Sequence, residues 1–122
     1  MHEAFRQMTS LGVDGLLIIE DPLFNSNLPT ISKLGLHHQI PTVSGNRELP
    51  NTGGLFAYAF DYIAMARRSA WYVDRILKGE APGELPIEQP TEFKLIINLK
   101  TAKALGVAVP ATLLAQADEV IE

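Results

Sequence analysis

The chain has 122 residues, a formal net charge of −4, 47% hydrophobic residues and 20% charged residues. This composition excludes intrinsic disorder, because disordered chains combine low hydrophobicity with high net charge. The acidic balance and the lack of a lysine and arginine cluster argue against nucleic-acid binding. No apolar run approaches the roughly 20 residues that a membrane-spanning helix needs.

The sequence lacks two features, cysteine and a recognisable signal peptide. The chain contains no cysteine, which excludes disulfides, Cys-bound zinc and a cysteine nucleophile. The first residues, Met1 to Arg6, do not form a basic region followed by an apolar core, so no signal peptide is predicted there. We therefore expect either a cytoplasmic protein or one whose export signal lies on additional chain.

The first half of the chain predicts parallel strands joined by helices. Apolar residues from Ala4 to Leu11 recur at helical spacing. The continuous apolar run Gly15 to Ile19 is typical of a strand that is buried on both faces. A helix is predicted over about 28–38 and a second strand over 39–44. This strand–helix–strand order implies parallel pairing through a right-handed crossover.

The second half continues the alternation. A third strand is predicted over 55–59, followed by a long helix that Asp61 caps and that carries one apolar stripe. The stripe consists of Ile63, Ala66, Ala70, Val73 and Leu77. A last strand is predicted over 93–97, and two short helices are predicted over 99–105 and 111–121. The whole pattern is that of an alternating α/β protein.

Polar residues follow the first two predicted strands, at the edge where open α/β sheets bind ligands. Asp21, with the preceding Glu20, could receive the amino group of an amino-acid ligand, or could belong to a solvated turn. Asn25 could bind a ligand carboxylate or cap a helix. Ser44 and Asn46 could line the same cleft, or could form a tight turn.

Three further candidates flank the start of the third strand. Gly53 and Gly54 would allow hinge rotation or the close approach of a ligand. Tyr58 could stack on an aromatic ligand. Because Tyr58 alternates with Phe56, it could equally be a core or interface ring.

No catalytic or metal-binding motif is present. His37 and His38 are adjacent, whereas metal ligands on a helix are spaced three or four residues apart. The chain has neither a G-x-S-x-G nucleophile elbow nor a G-x-x-x-x-G-K phosphate loop. The sequence therefore predicts no metal, no cofactor and no enzymatic activity.

Several segments, in order and spacing, resemble one known family. Glu88 to Gly106 carries the clearest resemblance, and Tyr72 to Gly79, Gly53 to Leu55, Tyr58 and the ending 110–121 agree with it. They closely resemble the ABC-transporter substrate-binding proteins related to the tryptophan and tyrosine uptake proteins. The resemblance extends over essentially the whole chain.

The resemblance implies the periplasmic-binding type I fold, in which a ligand binds between two α/β lobes that close about a hinge. This chain resembles only the later part of such proteins. Residues 1–52 would form a second-lobe β-α-β segment. Residues 53–87 would form a crossover strand, a long helix and a connector, all belonging to the first lobe. Residues 88–122 would form the return crossover, the last strand and the C-terminal helices. We therefore expect an incomplete parallel-sheet fold.

The resemblance also implies a non-catalytic receptor outside the cytoplasm, which delivers an amino-acid-like solute to the permease subunits of an ABC importer. Two other hypotheses stay open. One is an enzyme or ligand sensor built on a flavodoxin-like sheet. The other is a non-binding fragment that forms homo-oligomers by swapping elements, because an incomplete sheet exposes apolar faces. The helix over 62–78 would then be the docking element.

Overall fold

Helices and strands alternate along the chain, and the computed structural model describes every residue from Met1 to Glu122. The helices are α1 (His2–Ser10), α2 (Pro22–Asn25), α3 (Leu28–His37), α4 (Tyr62–Leu77), α5 (Leu99–Ala104) and α6 (Ala111–Leu114). The strands are β1 (Leu16–Ile18), β2 (Thr42–Ser44), β3 (Phe56–Phe60), β4 (Phe93–Asn98) and β5 (Glu119–Ile121). Short 3-10 turns occur at Pro50–Thr52 and Pro82–Glu84.

The strands form one sheet in the order β1-β2-β3-β4-β5. The pairs β1–β2, β2–β3 and β4–β5 are parallel. Strands β3 and β4 are neighbours, with the Asn98 N–H donating to the Leu55 carbonyl and the Asp61 N–H donating to the Glu92 carbonyl. Between these two hydrogen bonds the residue numbers rise from 55 to 61 along β3 and fall from 98 to 92 along β4, so the two strands are antiparallel. The sheet is thus mostly parallel, which confirms the predicted α/β class.

The chain divides into two compact units. The first, here called the sheet unit, comprises Met1–Ala59 and Lys94–Glu122, and the second, here called the helix unit, comprises Phe60–Phe93. No helix in either unit is long and apolar enough to cross a membrane. The assignment of three chain segments to two lobes stays a prediction.

The core of the sheet unit is a cluster of aliphatic and aromatic side chains contributed by α1, β1, α3 and the loops next to β2 and β3. Its buried members are Phe5, Ile18, Leu28, Ile31, Leu34, Ile40 and Leu49. Full burial of a side chain of this size contributes about 1.5–3 kcal/mol to folding. This cluster is therefore the main source of stability on the face of the sheet that bears Ile18.

Strand β1 differs from the prediction of burial on both faces. Ile18 is 5% exposed, but Leu17 and Ile19 are 68% and 67% exposed. Because consecutive side chains of a strand point to opposite faces, only one face of β1 is covered in this chain. The prediction is wrong for the other face, on which Leu17 and Ile19 are exposed.

The C-terminal segment also differs from the prediction, which extended a helix to residue 121. The Asp118 N–H donates to the Leu95 carbonyl at 2.9 Å, and the Leu95 N–H donates to Asp118 Oδ2 at 2.8 Å. These two bonds align the residues after Asp118 with β4, so they extend as β5 instead of continuing α6. The bond from Leu95, together with Lys94, holds the pKa of Asp118 below its usual range.

The helix unit has no buried side chain. As predicted, Asp61 caps α4, with its Oδ1 accepting from the N–H groups of Ile63 and Ala64 at 2.9 and 3.1 Å. Arg68 donates two hydrogen bonds to the Glu88 carboxylate. The Tyr72 hydroxyl donates to the Pro86 carbonyl at 2.6 Å. Polar contacts therefore hold the segment 86–92 against one side of α4.

We predict that Gly54→Ala destabilises the sheet unit. A Cβ at Gly54 would lie 2.4 Å from Leu49 Cγ, and Leu49 is fully buried, so the core would have to shift. Overpacking of this kind costs about 1–3 kcal/mol of unfolding free energy, which urea denaturation measures. The control is Gly83→Ala, because no atom lies within 4 Å of a Cβ there. Equal stability of the two variants would contradict this packing.

We also predict that Asp118→Asn lowers the thermal midpoint at neutral pH. The pKa of Asp118 is lowered in the folded chain, so its ionised form contributes stability above the usual aspartate pKa. That contribution disappears as the pH falls through the lowered pKa. Thermal melts should therefore show a difference between variant and parent at pH 7 that vanishes in acid. Asp14→Asn is the exposed control, and a difference that persists in acid would contradict the ionic origin.

Candidate ligand-binding edge of the sheet

Strands β1 and β2 end in the same row of the sheet, and the parallel strand β3 passes that row at Ala57 and continues to Phe60. Ile18 pairs with Ser44, and Ser44 pairs with Ala57, so the residues that follow these positions lie side by side. We call this edge the polar edge. It comprises Glu20, Asp21, Ser44, Gly45, Asn46 and Tyr58. Open α/β sheets bind ligands at the carboxyl ends of their parallel strands. The polar edge is therefore the first candidate for a ligand-binding site.

Asp21 is the N-cap of the one-turn helix α2, which the sequence analysis did not predict. Its Oδ1 accepts the Leu23 N–H at 2.8 Å, and Pro22 occupies the first helical position. An Asp-Pro pair at a helix start was the sequence signal for this turn. At the other end of α2, the Asn25 side-chain oxygen is buried and accepts no hydrogen bond from the protein. Such an acceptor favours a donor from outside the chain.

Ser44, Gly45 and Asn46 form a turn at the end of β2. The Ser44 side chain is buried, and its Oγ accepts the Asn46 N–H at 3.0 Å. Asn46 Oδ1 in turn accepts the Glu48 N–H at 2.9 Å. A Cβ at Gly45 would lie 3.0 Å from Glu20 Oε1. The carboxylate that follows β1 therefore lies directly against the end of β2.

Tyr58 lies at the polar edge on β3, one residue beyond Ala57. It is 57% exposed, whereas Ala57 and Ala59 on the other face are 0% and 1% exposed. The ring is therefore not a core ring of this chain.

Gly53 and Gly54 do not join this group. The Leu55 N–H donates to the carbonyl of Thr42, the first residue of β2, so the two glycines lie at the amino end of β3. Gly53 has a φ of +104° and its carbonyl accepts from Thr101 Oγ1 at 3.0 Å, while Gly54 packs against Leu49. Both glycines thus lie at the opposite edge of the sheet, because the β2–β3 connection returns there, and their contact with a ligand stays a prediction.

The helix unit contains another candidate surface, an open groove of about 560 Å³ between α4 and the segment 88–92. Arg68, Trp71, Tyr72 and Glu88 line it. The Arg68 guanidinium lies 3.8 Å from the centre of the Trp71 ring and is hydrogen-bonded to Glu88, which lowers the pKa of Glu88. Because Arg68 and Glu88 already form an ion pair with each other, the groove is a weaker candidate for a ligand-binding site than the polar edge.

A mostly parallel α/β sheet with carboxylates, an amide and a hydroxyl at one edge has the features of a domain that binds a small polar ligand. The sequence matches the family model of the ABC transporter substrate binding proteins over residues 1–121. The chain therefore belongs to the ABC transporter substrate-binding protein family, which confirms the resemblance found in its sequence.

Three similar proteins illustrate the relationship. A tyrosine-binding protein of Clostridioides difficile (strain R20291) is 28% identical over 93 residues, which are 76% of this chain and 27% of that protein. An ABC domain from Streptococcus pneumonia, solved in complex with L-Trp, is 26% identical with a TM-score of 0.85, and the match covers 98% of this chain and 41% of that chain. A conserved domain protein from Vibrio cholerae O1 biovar eltor str. N16961 shares the fold, with a TM-score of 0.88 at 24% identity over 98% of this chain and 40% of that chain. The chain thus spans less than half the length of these relatives.

We predict that Asp21 has a capping role that is separable from its charge. Asp21→Ala removes the acceptor for the Leu23 N–H and should lower the unfolding free energy by about 1 kcal/mol in urea titrations. Asp21→Ser keeps a capping oxygen without the carboxylate, so it should retain nearly the parent stability. If both substitutions destabilised the chain equally, the carboxylate charge would be the stabilising feature and the capping role would be rejected.

Proposed function

We propose that this chain is the C-terminal part of a solute receptor that binds an amino-acid-like ligand at the polar edge. The receptor would deliver that ligand to the permease subunits of an ABC importer, outside the cytoplasm, by binding and without catalysis. The observation that carries the proposal is the meeting of the β1 and β2 ends, where the Glu20 carboxylate lies against Gly45. Membership of the substrate-binding family supports it.

The groups at the polar edge suit the ammonium end of an amino acid. Glu20 and Asp21 supply carboxylates, and hydrogen bonds between ammonium and carboxylate groups are roughly twice as strong as neutral ones. The exposed Tyr58 ring could pack against an aromatic side chain of the ligand. The two relatives described by their ligands, tyrosine and L-Trp, support an aromatic amino acid.

The same geometry limits the affinity of this chain on its own. Asp21 and Tyr58 are exposed, whereas a small-ligand site usually buries at least about 70% of its ligand. In our proposal, chain beyond these residues forms the second wall of a cleft, and closure around the ligand favours the bound state. The chain spans 27% of its curated relative and 40–41% of its solved relatives. Such a wall is therefore expected from the length of related proteins.

We predict weak, localised binding of L-tyrosine and L-tryptophan. Amide chemical shifts of the ¹⁵N-labelled chain should move at Glu20, Asp21 and Ser44 to Asn46, with a dissociation constant on the order of 1 mM or weaker. The control ligand is 3-(4-hydroxyphenyl)propionate, which keeps the ring and carboxylate of tyrosine but lacks the ammonium group. It should produce smaller shifts at these residues.

The variant Asp21→Ser provides the protein control, because it keeps the cap and removes one carboxylate. It should reduce the shifts caused by L-tyrosine at the polar edge. Shifts confined to the groove lined by Arg68 and Glu88, or none for any amino acid, would overturn the proposed site. Submicromolar binding by the isolated chain would contradict the requirement for a second wall.

A further inference from the structure

Gly45 directly follows β2, and its backbone conformation does not require glycine. Its φ is not positive, in contrast to four other glycines of the chain, among them Gly53 with a φ of +104°. Glycine is needed mainly where the backbone adopts that left-handed conformation. The effect of a side chain at residue 45 therefore depends on the space around it.

The space beside Gly45 is occupied by the side chain of Glu20. A Cβ at residue 45 would lie 3.0 Å from Glu20 Oε1, 3.6 Å from its Cγ and 3.7 Å from its Cδ. These are the three atoms nearest to that position, and the contact with Oε1 is tighter than an ordinary van der Waals contact. The missing side chain at residue 45 thus makes room for the Glu20 carboxylate.

The turn that carries Gly45 is held more firmly than the Glu20 side chain. Ser44 is 4% exposed, its Oγ accepts the Asn46 N–H at 3.0 Å, and Asn46 Oδ1 accepts the Glu48 N–H at 2.9 Å. Glu20, in contrast, is exposed and lies outside the strands and helices. A side chain added at residue 45 would therefore displace the Glu20 carboxylate and leave the turn in place.

We propose that Gly45 is a positioning residue of the polar edge, because its lack of a side chain determines where the Glu20 carboxylate lies. This role rests on the proposed function, in which carboxylates at this edge bind the ammonium group of the ligand. A hydrogen bond from an ammonium group depends on distance and direction. A displaced carboxylate therefore holds that group less well, while contacts with the rest of the ligand stay unchanged. Gly45 thus determines selectivity for ligands that carry a primary amine.

Chemical-shift titrations of the ¹⁵N-labelled chain with L-tryptophan and with indole-3-propionate test this role. The second compound keeps the ring and the carboxylate of tryptophan but lacks the ammonium group. The parent should bind L-tryptophan more tightly, and Gly45→Ala should lower the ratio of the two affinities at least about threefold. Gly15→Ala should keep the parent ratio, because a Cβ there would lie at an ordinary distance of 3.7 Å from the Pro41 carbonyl oxygen.

The variant Glu20→Ala shows whether Gly45 acts through Glu20. This substitution removes all three atoms that a Cβ at residue 45 would meet. In that background, Gly45→Ala should change the affinity ratio by less than about twofold. An equal effect of Gly45→Ala in the parent and in Glu20→Ala would overturn the proposal, because the substitution would then act through the turn 44–46.

Urea denaturation separates positioning from a role in folding. Because the exposed Glu20 side chain can move aside, Gly45→Ala should keep the unfolding midpoint of the parent. Gly54→Ala provides the contrast, since its Cβ would meet the buried Leu49 side chain. A lowered midpoint for Gly45→Ala would contradict the proposal and indicate that Gly45 serves the fold.

Two measurements on the parent distinguish failure of this role from failure of the proposed function. In the ligand-free chain, a nuclear Overhauser effect should connect the α protons of Gly45 with the γ protons of Glu20, and its absence would overturn the role of Gly45. If L-tryptophan binds at the polar edge and Gly45→Ala leaves the affinity ratio unchanged, the role of Gly45 alone is overturned. If L-tryptophan causes no shift at the polar edge of the parent, the proposed function is overturned as well.

Discussion

In-register parallel pairing of β1, β2 and β3 determines where the functional candidates lie. Ile18, Ser44 and Ala57 occupy one row of the sheet, and the chain leaves all three strands in the same direction. The segments that follow β1 and β2 therefore meet, and Glu20 lies against Gly45. A shift of one residue would exchange the two faces of a strand, so the burial of Ile18 and Ser44 on the core face maintains this register.

The chain covers only part of the apolar surface that its secondary structure creates. Phe5 of α1 and Leu28, Ile31 and Leu34 of α3 cover one face of the sheet near β1, while Leu17 on the other face is exposed. The stripe of α4 is likewise uncovered. Removing apolar surface from water contributes about 25 cal/mol per Å², so these faces favour association with another polypeptide. Their exposure agrees with a chain that spans less than half the length of its relatives.

Local rules in the sequence predicted the elements that are long, strongly periodic or capped. The helix α4 and its cap at Asp61 were found as predicted. The short helix predicted over 99–105 was also found, as α5, and Asn98 Oδ1 caps it by accepting the Thr101 N–H at 2.9 Å. Strand β5 was missed, because its three residues have no period and depend on the contact of Asp118 with Leu95. The exposure of Leu17 was missed for a different reason. The sequence of an apolar strand does not show whether another part of the polypeptide covers its second face.

The candidate site was partly predictable. Strand order alone placed Asp21, Ser44 and Asn46 at one edge of the sheet, because parallel strands end together. The path of the β2–β3 connection, which carries Gly53 and Gly54 back to the opposite edge, depends on tertiary contacts with Thr101 and Leu49. Sequence spacing does not encode those contacts. The burial of the Asn25 side-chain oxygen without a hydrogen-bond donor likewise depends on the packing of α2, which the sequence does not specify.

The central claim is that the carboxyl ends of β1 and β2 hold the ammonium group of an amino-acid ligand. A crystal structure of the chain grown with a high concentration of L-tyrosine tests it most directly. We expect ligand density at the polar edge, with the ammonium group within hydrogen-bond distance of Glu20 or Asp21. Ligand density in the groove between α4 and the segment 88–92, with none at the polar edge, would contradict it.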